Sequence, residues 1–344
     1  MLKQIKRTGL NLARTAGVFS FVQRSGWRRA RLLILGYHGI AIDDEHQWNP
    51  PLFMLQDCFR ERLQIIKKSG CSIVTLDEGL RRLFTGDLPP RSVALTFDDG
   101  NYDFYKQAYP VLKEFDVPVT LYLTTFYAYY NRPVFRPTVS YLLWKGQTST
   151  LNLKGLTGQD TQLNLRNPAE RTKAFEELID FAITKNKLSA EEKDALNVKL
   201  AKELNVDYDD LLQKRILHIM TPDEVSRLAA EGVDIQLHTH RHRTPTVREL
   251  FTREIRDNRD SIQSMTGSSP THFCYPAGVY DNTFIPWLKE MGVESATTCD
   301  PHLATRNSHP YFLPRLIDNS NLSPVEFEGW LAGVSAVLPQ RGRG

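Results

Sequence analysis

Val93-Ala94-Leu95-Thr96-Phe97-Asp98-Asp99-Gly100 is an apolar run that ends abruptly in two adjacent carboxylates and a glycine. The run carries no charge before Asp98 and is rich in branched and aromatic side chains, which reads as a buried strand. Within a strand, neighbouring side chains point to opposite faces. At the strand's end, Gly100 can take a positive φ and turn the backbone so that both acids face one cavity. Two carboxylates held close are destabilised as a pair of anions, so a cation belongs beside them or one acid takes up a proton. Read alone, the tripeptide is equally an Asp-Asp-Gly turn that caps the next helix.

Outward from this strand, similar apolar runs at 32–37, 71–75, 92–97, 119–123, 233–237, 272–275, 295–298 and 312–315 alternate with segments of helical period. That alternation is the signature of serial βα units and predicts an α/β protein. Helix starts are legible at Thr221-Pro222-Asp223-Glu224, Asn167-Pro168-Ala169-Glu170 and Ser189-Ala190-Glu191-Glu192, each a capping residue with an acid three positions on. The last two lie in a polar, strand-poor stretch at about 127–219, which reads as a helical insertion and not as an independent domain.

Two further strands end in chemically loaded turns. Val233-Asp234-Ile235-Gln236-Leu237 alternates like a half-buried strand and runs into His238-Thr239-His240-Arg241-His242. Imidazole is a common ligand for borderline metals, and two histidines with one carboxylate leave positions open for water and substrate. His238 and His240 would share a face of an extended strand, whereas His238 and His242 would converge across a turn; spacing leaves both pairs open. An exposed basic loop or a nucleic-acid contact is the competing reading, given Arg241 and Arg243. The third turn, Phe273-Cys274-Tyr275-Pro276-Ala277-Gly278, can aim a backbone N–H at a developing oxyanion. All three clusters stand at the C-terminal end of an apolar strand, the rim on which barrel active sites assemble.

With 344 residues, 41% hydrophobic and 24% charged, the composition is that of a globular protein and excludes a disordered or fibrous one. Cysteines at 58, 71, 274 and 299 form no CxxC pair, so they read as buried thiols and not as a zinc site or a disulfide framework. The formal charge of +3 hides an asymmetry: residues 1–31 hold eight Lys/Arg and no acid, leaving the rest net acidic. Leu10, Leu12, Ala13, Ala16, Phe19 and Val22 lie among these cations, which predicts an amphipathic segment able to rest on an anionic membrane or, equally, a solvated helix. No stretch approaches the length of a membrane span, and Arg14 interrupts the only signal-like apolar run. The expected location is cytoplasmic, peripheral to the inner membrane face. Residues 332–344 read as a tail, its Gly/Arg end at 341–344 disordered.

From about 32 to 331 the chain resembles the NodB-homology polysaccharide deacetylases, carbohydrate esterase family 4. Thr96-Phe97-Asp98-Asp99-Gly100 is similar to that family's first motif and His238-Thr239-His240-Arg241-His242 to its His-Ser/Thr-x-x-His second motif. Tyr37-His38-Gly39-Ile40, Val74-Thr75-Leu76-Asp77-Glu78, Tyr275-Pro276-Ala277-Gly278 and Leu313-Pro314-Arg315 are similar to the branch that deacetylates N-acetylhexosamine exopolysaccharides. The resemblance implies a distorted (β/α)7 TIM-like barrel, an N-acetylated glycan or glycolipid as substrate, and no nucleic-acid partner. It implies Asp98 as general base, Asp99, His238 and His242 as metal ligands, and the Tyr275 N–H as part of the oxyanion hole. Zinc is the expected ion, since it suits two imidazoles and a carboxylate without redox chemistry, with other divalent transition metals as alternatives.

Two departures from the family pattern stand out. Cys274 occupies the place where many members have an arginine that orients the base; Arg315 is the candidate replacement. The downstream Leu-x-His that supplies the catalytic acid is absent, and His38 is the candidate for that role. These gaps give weight to a non-catalytic sugar-binding protein on a degenerate barrel. A non-haem iron oxygenase is the remaining rival, because it uses the same two-histidine, one-carboxylate set.

Overall fold

The structure is a computed structural model, and it describes residues 2–338. Its centre is a sheet of seven parallel strands: β1 (Leu33–Tyr37), β2 (Val93–Phe97), β3 (Thr120–Leu123), β4 (Asp234–Leu237), β5 (His272–Cys274), β6 (Ser295–Thr297) and β7 (Leu316–Ile317). Their spatial order is β6-β5-β4-β3-β2-β1-β7, sequential but for the last strand, which lies beside the first. β1 and β2 are buried along their whole length, as strands covered on both faces must be, which explains their continuous apolar sequence.

The sheet curls, and one segment serves both edges. Leu313 bridges Thr297 of β6, and Leu316 and Ile317 pair with Leu35 and Gly36 of β1. The run expected at 312–315 therefore crosses from one edge to the other, and its regular pairing begins at Leu316. The strand expected at 71–75 is also corrected: it touches the sheet through a single bridge, Ile73 to Val93, before Thr75 accepts the Glu78 N–H as the cap of the helix Leu76–Thr85. The other six runs are strands within a residue or two of their expected limits.

The insertion at 127–219 is helical, with the Ser189 capping box and the Asn167 cap in place. It also contains an antiparallel strand pair, Thr150–Asn152 with Gln162–Asn164, that its polar sequence concealed. Phe135, Val139, Leu142, Leu178, Leu200 and Leu211 give it a hydrophobic core of its own, into which the loop after β1 inserts Phe53 and Trp48. At its base it is tied to the first turn after the carboxylates: Met220 donates to the Gly100 carbonyl at 3.0 Å and Tyr102 to the His218 carbonyl at 2.8 Å.

The basic N-terminal segment is part of the same body. Leu10 and Phe19 are buried against Val325, Ala332 and Val334, so the helices Leu2–Thr15 and Val18–Arg24 pack on the last helix, Pro324–Ala332. Three cations are used in this docking: Lys6 and Arg7 reach Glu326, and Arg14 reaches Glu328. Arg28 is fully buried, with its Nε donating to the Leu331 carbonyl at 2.8 Å. Residues 332–338 are likewise packed and not a free tail; the Gly/Arg end at 341–344 lies outside the described residues. No helix is long and apolar enough to cross a membrane among the described residues.

Candidate active site

Asp98 and Asp99 leave the end of β2 in different directions because the backbone turns left-handed at Asp99 (φ 71°) and again at Gly100 (φ 81°). A side chain at Gly100 is excluded twice over, by that φ and by Leu123 Cδ1 at 2.2 Å from where a Cβ would stand. Asp98 points into the barrel, where it is 2% exposed. Asp99 turns to the rim, its carbonyl accepting the Thr124 N–H at 3.1 Å and the Thr124 hydroxyl at 3.0 Å.

Arg315 clamps Asp98 bidentately, with Nη1 to Oδ1 and Nη2 to Oδ2 both at 2.7 Å. The guanidinium is itself fully buried and saturated: Nε donates to the Thr298 carbonyl, Nη1 to Thr96 Oγ1, and Nη2 lies 2.9 Å from Cys274 Sγ. Gly36 on β1 lies beside it, and a Cβ there would stand 2.5 Å from Ile317 Cδ1 and 3.4 Å from the guanidinium carbon. Burial pushes the Asp98 carboxyl up, but the charge and hydrogen bonds of Arg315 more than offset this and hold it at about 2. The small thiol of Cys274 thus leaves space for an arginine from the segment just before β7, and Arg315 holds the carboxylate from there.

Asp99 Oδ1 lies 3.4 Å from His238 Nε2 and 3.2 Å from His242 Nε2, and the two rings are 4.9 Å apart. His238 donates from Nδ1 to the Cys274 carbonyl at 2.8 Å, which leaves its Nε2 lone pair aimed at the Asp99 side. Asp99 Oδ1 is buried with no hydrogen-bond partner among the described residues. An orphaned carboxylate oxygen facing two imidazole nitrogens is a donor set that fits a divalent cation. A second grouping, Asp98 with His238 and Cys274, is wholly buried, and its carboxylate is already spent on Arg315. Burial also pushes the Cys274 thiol up, against ligation as a thiolate.

Backbone geometry sends His240 and His242 in different directions. Thr239 (φ 62°) and His242 (φ 52°) are left-handed, so the chain folds back after β4 and brings His242 beside Asp99. His240 turns the other way and bonds Thr125 Oγ1 through Nδ1 at 2.8 Å. Arg241 and Arg243 both pair with Glu254, which is 1% exposed, so they anchor the loop. Asn258 on the same helix, Arg248–Thr266, accepts the His238 N–H at 2.9 Å and donates to the Leu123 carbonyl and Thr125 Oγ1. These supporting residues gave no signal in the sequence; a buried Glu and Asn on one helical stripe, spaced four apart, is the only trace.

His38, at the end of β1, places Nε2 at 3.7 Å from Asp98 Oδ2, and its Nδ1 is buried without a partner among the described residues. Tyr275 is different from expectation: its N–H is engaged in the sheet with the Thr297 carbonyl at 3.2 Å, and its ring packs between Phe273 and Phe284. Two residues on, Ala277 is exposed and left-handed (φ 53°), at the start of a turn whose hydrogen bonds begin with the Gly278 N–H.

If Asp99, His238 and His242 form one ion site, His242→Ala lowers zinc affinity by at least about tenfold, as read by equilibrium dialysis. His240→Ala leaves it unchanged. Equal losses in both variants would remove His242 from the ligand set.

The family model described as "Polysaccharide deacetylase" matches residues 85–175 and 181–296. The chain belongs to the polysaccharide deacetylase family. A poly-beta-1,6-N-acetyl-D-glucosamine N-deacetylase of Staphylococcus epidermidis is 36% identical over 67 residues, 20% of this chain and 23% of that protein. One of Staphylococcus aureus is 34% identical over 70 residues, 20% of this chain and 24% of its own. The aligned segment is thus under a quarter of either relative. Among solved structures, the Streptococcus pyogenes deacetylase PplD in complex with acetate aligns over 90% of this chain and 100% of its own, with TM-score 0.56 and 19% identity. IcaB from Ammonifex degensii aligns over 89% and 97%, with TM-score 0.52 and 16% identity. These likenesses bear out the barrel fold with its curled seven-stranded parallel sheet.

Proposed function

We propose that the protein hydrolyses the N-acetyl group of an amino sugar within a glycan and releases acetate. The observation that carries this reading is the side-by-side arrangement at the rim: an ionised, arginine-clamped carboxylate next to a carboxylate and two imidazoles whose donor atoms converge. A divalent ion held by Asp99, His238 and His242, zinc before other transition metals, would supply Lewis acidity to the acetyl carbonyl and acidify a bound water.

Asp98 is the general base. Both of its oxygens are fixed by Arg315, yet each keeps a lone pair, so it can take the proton of the attacking water without moving. His38, with Nε2 at 3.7 Å from Asp98 Oδ2, is the group we assign to protonate the departing amine nitrogen. For the oxyanion, the backbone of the turn after β5 is the donor we assign, where the Tyr275 N–H has the Thr297 carbonyl as its partner in the unliganded sheet.

The polymer named for the staphylococcal relatives sets the first substrate to try. Purified protein with zinc releases acetate from β-1,6-linked N-acetylglucosamine oligomers, measured by an acetate-coupled assay, and less from the single sugar. Absence of acetate from every N-acetylated glycan and glycolipid tried, with the fold and bound metal intact, would overturn the proposal in favour of a binding role.

A further inference from the structure

The N-terminal helices have two apolar faces, and the barrel uses only one. Leu10 and Phe19 are consumed against the last helix, together with the charges of Lys6, Arg7 and Arg14. On the far side of the same helices Ile5 is 61% exposed, Leu12 67% and Phe21 78%. Ile5 and Leu12 are seven residues apart and so lie on one helical face. Between and beside them that face carries Thr8, Gly9, Thr15 and Ala16, none of them charged and all exposed. Helices of a water-facing surface put their charges outward; here they are turned inward to Glu326 and Glu328, and the outward face is left apolar.

Exposed cations gather at the Phe21 end of this surface. Arg24 and Arg29 follow Phe21 in the chain and are exposed. Gln23 donates to the Ser69 carbonyl at 2.8 Å, which joins the end of the second helix to the end of the helix Gln56–Ser69 and brings Lys67 and Lys68 to the same border. Lys67 and Lys68 are exposed as well, and none of the four cations makes an ion pair among the described residues.

We infer that this face docks on an anionic lipid bilayer, with Ile5, Leu12 and Phe21 entering the interface and Arg24, Arg29, Lys67 and Lys68 meeting the headgroups. Charge complementarity selects that occupant: a second copy of the same face would bring four unpaired cations against four more, whereas an anionic surface neutralises them. The inference is independent of the deacetylase reading.

The test is sedimentation of the full chain with vesicles of phosphatidylcholine, with and without phosphatidylglycerol. Partitioning into the anionic vesicles is expected, weakened by salt. It should fall roughly fivefold for each cation neutralised in the series Arg24→Gln, Arg29→Gln, Lys67→Gln, Lys68→Gln. The triple variant Ile5→Ser, Leu12→Ser, Phe21→Ser should lose it while melting at the wild-type temperature, since none of the three is in the core. Wild-type protein that stays in solution with phosphatidylglycerol vesicles overturns the inference. So does a triple serine variant that binds like wild type, or sedimentation velocity without lipid showing that the face joins two copies.

Discussion

Asp98→Asn is expected to lower acetate release by a factor of about 10²–10⁴ while leaving zinc bound. Asparagine has nearly the shape of aspartate and can still accept a hydrogen bond from Arg315, but its amide cannot take a proton from water. Of the three ligands proposed for the ion, Asp99, His238 and His242, two are held without the Asp98 charge: Asp99 is fixed through its carbonyl by Thr124 and His238 through Cys274 and Asn258. Zinc content after dialysis and initial rates of acetate release, measured on one preparation, separate the two effects. Retained activity with bound zinc would move the general base to another residue. Parallel loss of zinc and activity would mean that Asp98 is part of the ion site.

Arg315→Met is expected to be the most destabilising single change in the site, by about 3–5 kcal/mol, because it leaves a buried carboxylate without its countercharge. Lysine does not rescue it. One ammonium group cannot reach Asp98 Oδ1, Asp98 Oδ2, Thr96 Oγ1 and the Thr298 carbonyl together, as the guanidinium does. The double variant Asp98→Asn with Arg315→Met regains part of the loss, since no charge then remains buried, and urea titrations of the four proteins in that cycle give the coupling. A wild-type melting curve for Arg315→Met would show that the pair is not a structural element.

Much of the barrel was legible because parallel strands covered on both faces must be continuously apolar, and β1 and β2 are. The strand ends were equally legible, since acids and histidines directly after apolar runs mark a rim. The crossing segment at 313–317 was placed early because its pairing is split between two edges, which no local periodicity encodes. The choice of His242 over His240 could be made from the motif but not from spacing. It rests on left-handed Thr239 and His242, with no glycine to announce the turn. The backbone role that the motif implies for Tyr275 could not be weighed against its sheet pairing, because the bond of its N–H to the Thr297 carbonyl depends on a strand 22 residues away. Glu254 and Asn258 were invisible because their importance lies in what folds onto them. The amphipathic N-terminus was recognised, but composition could not say which of its two apolar faces would be turned to the barrel.

Arg315 arrives 217 residues after the carboxylate it clamps, on the segment that joins the two edges of the sheet. Synthesis therefore delivers both aspartates, His238 and His242 well before the group that makes Asp98 tolerable inside the protein. Until that last segment docks, burying the Asp98 carboxylate is disfavoured for want of a countercharge, and β1 lacks the neighbour that β7 provides. Docking of that segment completes the sheet and supplies the countercharge of Asp98 in one step, so a chain cut short before 315 lacks both the strand that pairs with β1 and the group that lets a buried carboxylate stay ionised.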